Sequence, residues 1–223
     1  MNKVELLGYY GTDLVHAQSA WTSTSRDLSE EKLERVEKLL DMLASEGHHT
    51  PFEKSSLHFL VTVDQATHIH LLKHRIGVSI NGESARYKEL KEDKMYLPND
   101  WNGIEVTTLN DIDTNYFKYY ETWKQVLEGY SEMGNRLYHN CLKDLEPVLG
   151  RKRAKESARY FKTYNSQIQA DVMFNMRSFH NFLTQRMDGH SQLEIREIAT
   201  EMLNLIKNIE GNPFQHSLAA FGF

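Results

Sequence analysis

Cysteine is almost missing from this chain: Cys141 is the only one in 223 residues. A lone cysteine forms no internal disulfide, so the fold must rest on its apolar core, and a reducing compartment is expected. Proline is scarce, at 4 residues, and no low-complexity linker, repeat or change of composition divides the chain. One domain spanning residues 1–223 is therefore expected. No apolar run approaches the roughly 20 residues that span a membrane. The opening MNKVELLGYY turns acidic at Glu5 and lacks a signal peptide's apolar stretch, so the expected location is cytoplasmic. Positive charge is not in excess either, since 26 basic residues against 31 acidic ones leave a net charge of −5. That disfavours a general nucleic-acid binder, whose affinity comes from many Lys and Arg meeting phosphates. A local basic pocket for a small phosphorylated ligand remains compatible with it.

The periodicity predicts an α+β protein, helix-rich with a small antiparallel sheet. Val4 to Tyr9 reads as a short strand. Asp27 to Glu30 has capping-box spacing, and Leu33, Val36, Leu39, Leu40 and Leu43 then form a helical apolar stripe. Lys54 to Val63 alternates as a half-buried strand does, and Asp64 is positioned to cap a helix running to about Arg75. Residues 76–90 are polar and aperiodic, which predicts a loop, with short strands near Met95–Leu97 and Ile104–Thr107. From Asp111 the pattern is helical through Tyr116, Tyr119, Tyr120, Trp123, Val126, Leu127, Tyr130 and Leu137. Further helices are expected over 151–165, 168–188 and 191–210. The Tyr/Trp stripe is read as core packing and given no functional role.

Three segments concentrate chemistry. Thr50-Pro51-Phe52-Glu53, after His48-His49, has T-x-x-E spacing with Pro at the first helical position. The turn it predicts is either a plain capped turn or one whose first N–H groups hold an anion. His70 and His74 are four apart, and Lys73, His74 and Arg75 cluster potential cations at a predicted helix end, where the dipole favours them. Ser79, Asn81, Glu83, Ser84 and Arg86 follow closely, a density of donors and acceptors suited to a ligand with phosphates and a polar ring. In the third segment, Met176, Phe179, Phe182, Leu183 and Met187 share an apolar helical arc, while Arg177, Ser178, Asn181 and Gln185 share another side. Arg186 falls within the apolar arc, where a guanidinium needs a partner. Either a carboxylate such as Glu194 satisfies it, or a ligand does.

In family order, these segments resemble the flavin-dependent thymidylate synthases. The R-H-R signature ending in S-x-R-Y appears as Lys73-His74-Arg75 and Ser84-Ala85-Arg86-Tyr87, with one extra residue between the halves. H-x-T-P-F-E appears as His48 to Glu53, and N-x-R-x-x-x-N-F-x-x-x-R as Asn175, Arg177, Asn181, Phe182 and Arg186. The continuation A-Q-x-E-I-R is matched by Ser191 to Arg196, and the substrate arginine of an A-R pair by Ala158-Arg159. Lys73 replaces an arginine and keeps its charge without the planar fork. His70 replaces a glutamine, and the family's N-E-x-S reads Asn81-Gly82-Glu83-Ser84, with the acidic residue shifted by one.

The resemblance implies methylation of dUMP to dTMP in a homotetramer whose sites lie where subunits meet. Its cofactor would be FAD, reduced by NADPH, with 5,10-methylenetetrahydrofolate as carbon donor. By motif match, Thr50, Lys73, His74, Arg75, Glu83, Asn175, Arg177 and Asn181 would hold FAD. His70, Lys73, Glu83, Ser84, Arg86, Arg159 and Arg186 would hold dUMP. Arg186 would stabilise charge developing on the uracil ring, and Ser84 would orient or polarise the nucleotide; no metal, nucleic acid or membrane is implied. Cys141 lies outside every motif, which disfavours a cysteine nucleophile. Two rival readings are a metal-dependent nucleotide hydrolase using His68, His70 and His74 with Asp64 and Glu83, and a catalytically silent nucleotide-binding relative.

Overall fold

A computed structural model describes residues 1–25, 27–84, 86–108 and 119–223. The chain forms two compact units, one of Met1–Asn2, Thr62–His68 and Gly82–Gln169, the other of Lys3–Val61, Ile69–Asn81 and Ala170–Phe223. In chain order the elements are β1 (Lys3–Tyr10), α1 (Asp13–Trp21), α2 (Glu30–Glu34), α3 (Val36–Ser45), a 3₁₀ turn (Thr50–Glu53), β2 (Ser56–Asp64) and α4 (Gln65–Leu71). They continue as β3 (Val78–Gly82), α5 (Trp123–Leu149), α6 (Arg151–Ala158), β4 (Gln167–Phe174), α7 (Met176–Arg186), α8 (Leu193–Lys207) and α9 (Gln215–Ala220). Helices dominate, and the four strands form one antiparallel sheet in the order β1-β2-β4-β3, so the class is α+β as expected. Among the described residues no helix is long and apolar enough to cross a membrane.

The second unit holds most of the sheet. Leu57, Phe59 and Val61 alternate into the core from β2, as Ala170, Val172 and Phe174 do from β4. The apolar arc of α7 covers them: Phe59 stacks on Phe179 at 5.9 Å, and Phe174 lies 5.1 Å from Phe182. Ile195, Ile198, Met202 and Ile206 of α8 are buried in turn, and α8 packs on α7 and β1. In the first unit, α5 and α6 pack together around Tyr138, Leu142, Ala154 and Ala158, with Cys141 and Leu90 beside them.

Several boundaries depart from the sequence reading. The expected helix over 168–188 is instead β4 followed by α7. QIQADVMF has a two-residue period, and it adjoins the helical motif with no glycine or proline between them. Residues 76–90 are not all loop, because Val78 to Gly82 add an edge strand beside β4. Helix α4 stops at Leu71 rather than Arg75; Lys73 and His74 donate to His70 and Leu71 in tighter turns, and Gly77 takes φ +69°. Ser29, not Asp27, caps α2, and Arg35 separates α2 from α3. The expected strands near 96 and 105 are single bridges, Met95 to Ser166 and Glu105 to Thr122. Helix α5 begins at Trp123 behind a Thr122–Gln125 capping box, so Tyr119 and Tyr120 precede it, while Tyr116 lies outside the described residues. The helix expected over 151–165 ends at Ala158 and passes into a 3₁₀ turn, Arg159–Phe161.

One buried carboxylate joins the two ends of the second unit. Asp13, at the start of α1, accepts from the backbone N–H groups of His216 and Ser217 at 2.7 and 2.8 Å and from the Ser217 hydroxyl at 2.5 Å. Replacing it by alanine leaves two N–H groups and a hydroxyl without their acceptor. Asp13→Ala is expected to lower stability by about 3 kcal/mol in urea denaturation; a loss under about 0.5 kcal/mol would show that water replaces the carboxylate freely.

Candidate active site

In the first unit, Glu83, Ser84 and Arg159 line a cleft of about 580 Å³ together with Gln65, His68 and Tyr160, a size suited to a small ligand. Ser84 opens a turn in which its carbonyl accepts from Tyr87 and Lys88, and its hydroxyl accepts from the Arg86 N–H at 3.3 Å. Arg159 is exposed on the turn after α6, and its guanidinium has no hydrogen bond or ion pair among the described residues. Arg86 is held instead by Glu156, its Nε donating at 2.7 Å, which raises its pKa while the arginine lowers that of Glu156. The Glu83 carboxylate binds Lys88 at 2.6 Å and accepts from the Gln169 N–H at 3.3 Å. Lys155, almost fully buried, donates to the Tyr87 carbonyl at 2.9 Å and so fixes the end of the Ser84–Tyr87 segment.

In the second unit, Asn175, Arg177 and Asn181 line a cleft of about 520 Å³ with His49, Glu53, Gly77 and His180. They stand on the side of α7 away from its aromatic arc, which is why one helix carries both a core face and polar groups that line a cleft. Asn175 caps the helix: its side-chain oxygen accepts from Ser178 N–H at 2.8 Å, and the Ser178 hydroxyl donates to Gly77 O at 2.7 Å. At Gly77 a Cβ would lie 3.0 Å from Asn175 Nδ2, so the backbone passes close to the start of α7. Arg177 forms an ion pair with Glu53, and Asn181 accepts from Gln185 at 3.2 Å. Thr50 begins the 3₁₀ turn but is not its cap; His49 holds that position and makes no side-chain capping bond. The expected turn is present without the expected capping box, because Glu53 is engaged by Arg177.

Lys73, His74 and Arg75 do not form a triplet of helix-end cations. His74 is buried, edge-on to Phe182 at 5.0 Å, and burial followed by the nearby Arg186 guanidinium lowers its pKa to about 4. The neutral ring accepts from Arg186 Nε at 2.8 Å. The carboxylate expected to satisfy Arg186 is not its partner in the protein: Glu194 accepts from Gln192, and the imidazole of His74 takes that place. The two terminal nitrogens of Arg186 have no partner among the described residues. Lys73 and Arg75 are exposed and likewise unpaired. His70 does not share a helical face with His74, because α4 has ended, and it meets Gln192 at 3.0 Å.

The residues expected to hold dUMP are thus divided: Glu83, Ser84, Arg86 and Arg159 belong to the first unit, and His70, Lys73 and Arg186 to the second. The metal-site grouping does not assemble, since Asp64 is taken by Thr67 and Asn2, His70 by Gln192, His74 by Arg186 and Glu83 by Lys88. Among the described residues no three His, Cys, Asp or Glu side chains gather as metal ligands. Gln65 and His68 were missed as cleft residues. Their three-residue spacing places them on one face of the helix expected after Asp64, a signal present in the sequence.

Residues 5–210 match the family model described as Thymidylate synthase complementing protein, Thy1. A flavin-dependent thymidylate synthase of Pseudothermotoga lettingae is 32% identical over 207 residues, covering 92% of this chain and 85% of that protein. One from Clostridium tetani is 31% identical over 202 residues, covering 86% and 74%. Among solved structures, the UMP/dUMP methylase PolB of Streptomyces cacaoi, bound with 5-Br dUMP, has the same fold, with TM-score 0.74, 24% identity, and coverage of 98% and 95%.

Buried neutral histidines give the chain an acid sensitivity of predictable sign. His16 and His74 both have pKa values near 4 against 6.5 when unfolded, because burial disfavours the charged ring. Between those values the unfolded chain binds more protons, so stability is complete above about pH 6.5, falls towards pH 4 and then levels. Urea midpoints measured across this range should fall with pH, and more shallowly in His74→Asn. An identical slope in that variant would move the acid-sensitive group elsewhere.

Proposed function

The chain belongs to the Thy1 family of flavin-dependent thymidylate synthases, and from that premise we propose how its residues divide the work. The reaction is methylation of dUMP to dTMP, with 5,10-methylenetetrahydrofolate as carbon donor and FAD reduced by NADPH. The observation that carries the assignment of roles is the separation of the family motifs between two units, each with exposed cations that have no partner among the described residues. Arg159 is unpaired in the first unit, and Lys73 and Arg75 in the second. An anionic ligand would supply the missing charge in each.

The second unit's cleft fits FAD. The close passage of Gly77 beside Asn175, with Asn181 and Arg177 on the cleft wall, suits a pyrophosphate and a polar ring system, and the unpaired Lys73 and Arg75 stand on the same unit. Thr50, Lys73, His74, Arg75, Asn175, Arg177 and Asn181 would hold it. Arg177 would act partly through Glu53, which orients its guanidinium while offsetting its charge. When bound, FAD supplies the reducing equivalents for the new methyl group.

The first unit's cleft takes dUMP, with Arg159 and Arg86 as the phosphate anchors and Ser84 orienting the nucleotide. Glu156 must share Arg86 with the ligand. Ser84 is not a nucleophile in this reading, because no imidazole or carboxylate hydrogen-bonds its hydroxyl among the described residues. Glu83 shapes the segment through Lys88 and Gln169; by motif match, His70 and Lys73 of the second unit would also contact a nucleotide.

Arg186 is the catalytic group. Uracil carbon 5 becomes nucleophilic only when the ring is electron-rich, and a guanidinium at the imide edge stabilises that charge. His74 holds Nε, which leaves the two terminal nitrogens as a fixed fork for a carbonyl and its neighbouring ring nitrogen. The half-buried position on α7 strengthens the effect relative to water. The two units act as one catalytic domain, residues 1–223, in a cytoplasmic homotetramer whose sites draw on more than one subunit.

Tritium release from dUMP labelled at carbon 5, dependent on FAD, NADPH and methylenetetrahydrofolate, tests the activity. Arg186→Lys keeps the charge without the fork and should slow saturated turnover by about 100-fold or more, while folding and retaining FAD. Arg159→Lys should mainly raise the dUMP requirement. Near-normal saturated turnover in Arg186→Lys would remove Arg186 from catalysis.

The shared-site reading has its own check. Oligomers assembled from a mixture of inactive Arg159→Ala and inactive Arg177→Ala subunits should regain activity, because some sites receive both arginines. No recovery after verified subunit exchange would mean that each site is built within one chain.

A further inference from the structure

We propose that His68 is a nucleotide-binding residue, its imidazole meeting the single sugar hydroxyl of dUMP from the space that a side chain at position 82 would otherwise fill. The inference rests on the assignment of the first unit's cleft to dUMP.

His68 stands on α4 and lines that cleft with Gln65, Gly82, Glu83, Ser84 and Arg159. Its Nε2 is sealed from solvent and has no hydrogen-bond partner, and its other ring nitrogen has none among the described residues. A buried polar nitrogen left unpaired is costly and calls for an explanation. A ligand hydroxyl in the cleft that His68 lines would give that nitrogen the partner it lacks.

A side chain at position 82 would crowd the ring. A Cβ there would lie 3.1 Å from His68 Nε2 and 3.3 Å from its Cε1. The glycine is not demanded by its backbone, since Gly82 is absent from the positive-φ residues. Position 82 is also where the family pattern N-E-x-S carries its acid, which in this chain has moved to Glu83. That carboxylate is already engaged by Lys88 and by the Gln169 N–H. The polar group beside Gly82 is therefore supplied from α4 instead.

The chemistry of the ring selects the group it meets. Burial lowers the pKa of His68, so near neutral pH it carries one donor and one acceptor and no charge. That pairing suits a hydroxyl, which both donates and accepts. The charged phosphate is matched by Arg159 and Arg86, which leaves the deoxyribose hydroxyl as the neutral donor and acceptor for the imidazole.

The test is calorimetric titration of FAD-loaded protein with dUMP and with 2′,3′-dideoxyuridine 5′-monophosphate, which differs only by that hydroxyl. The wild type should prefer dUMP by about tenfold, the equivalent of one hydrogen bond. In His68→Ala the preference should fall to within about twofold, with flavin content and urea midpoint close to wild type. His68→Gln, which keeps a donor and an acceptor, should retain an intermediate preference and serves if the alanine variant folds poorly. An undiminished preference in both variants, or none in the wild type, would overturn the role of His68 alone. Failure of the wild type to bind either nucleotide would overturn the assignment of the cleft as well.

Discussion

Phe179 and Phe182 of α7 press on Phe59 and Phe174 of the sheet, and the direction of every other side chain on α7 follows from that contact. With the aromatic arc committed to the core, Arg177 and Asn181 must face outward, and Arg186 at the helix end must lie partly beneath neighbouring residues. Burying such side chains is worth about 1.5–3 kcal/mol each, more than any single polar contact in either cleft. Packing therefore sets the geometry, and the polar groups adjust to it.

Histidine burial is the second constraint. His74 packs edge-on against Phe182 and loses its charge, and only a neutral ring can accept the Arg186 Nε–H. A protonated imidazole there would repel the guanidinium and remove its acceptor. One bond thus couples the central signature to α7 and leaves the guanidinium fork aimed by its remaining nitrogens. His16 obeys the same rule elsewhere in the second unit, bonded through Nδ1 to Ser217 at 2.8 Å while Asp13 gathers the start of α9.

Charge is distributed to keep the sites receptive. Across the surface, cations such as Arg35, Lys88 and Arg153 have carboxylate partners. Lys73, Arg75 and Arg159 have none among the described residues. An overall negative chain thereby keeps local positive charge at these positions. Arg86 and Arg177 follow a different rule, each oriented by a glutamate.

The sequence alone determined the class, the family resemblance and the residues to examine, because periodicity and motif order are local properties. The alternation of Leu57, Phe59 and Val61 announced β2, and the arc of Met176, Phe179, Phe182 and Leu183 announced the buried side of α7. Its failures came where two local periods met or where a partner lay far along the chain. QIQADVMF was merged into the following helix, and the edge strand at Val78 was hidden because its pairing with β4 lies about ninety residues away. Only tertiary structure decided that His74 is neutral and not a cation, that Arg186 leans on an imidazole, and that Gly82 makes room for His68. Each depends on desolvation or on distances of a few ångströms between segments, quantities that residue order does not carry.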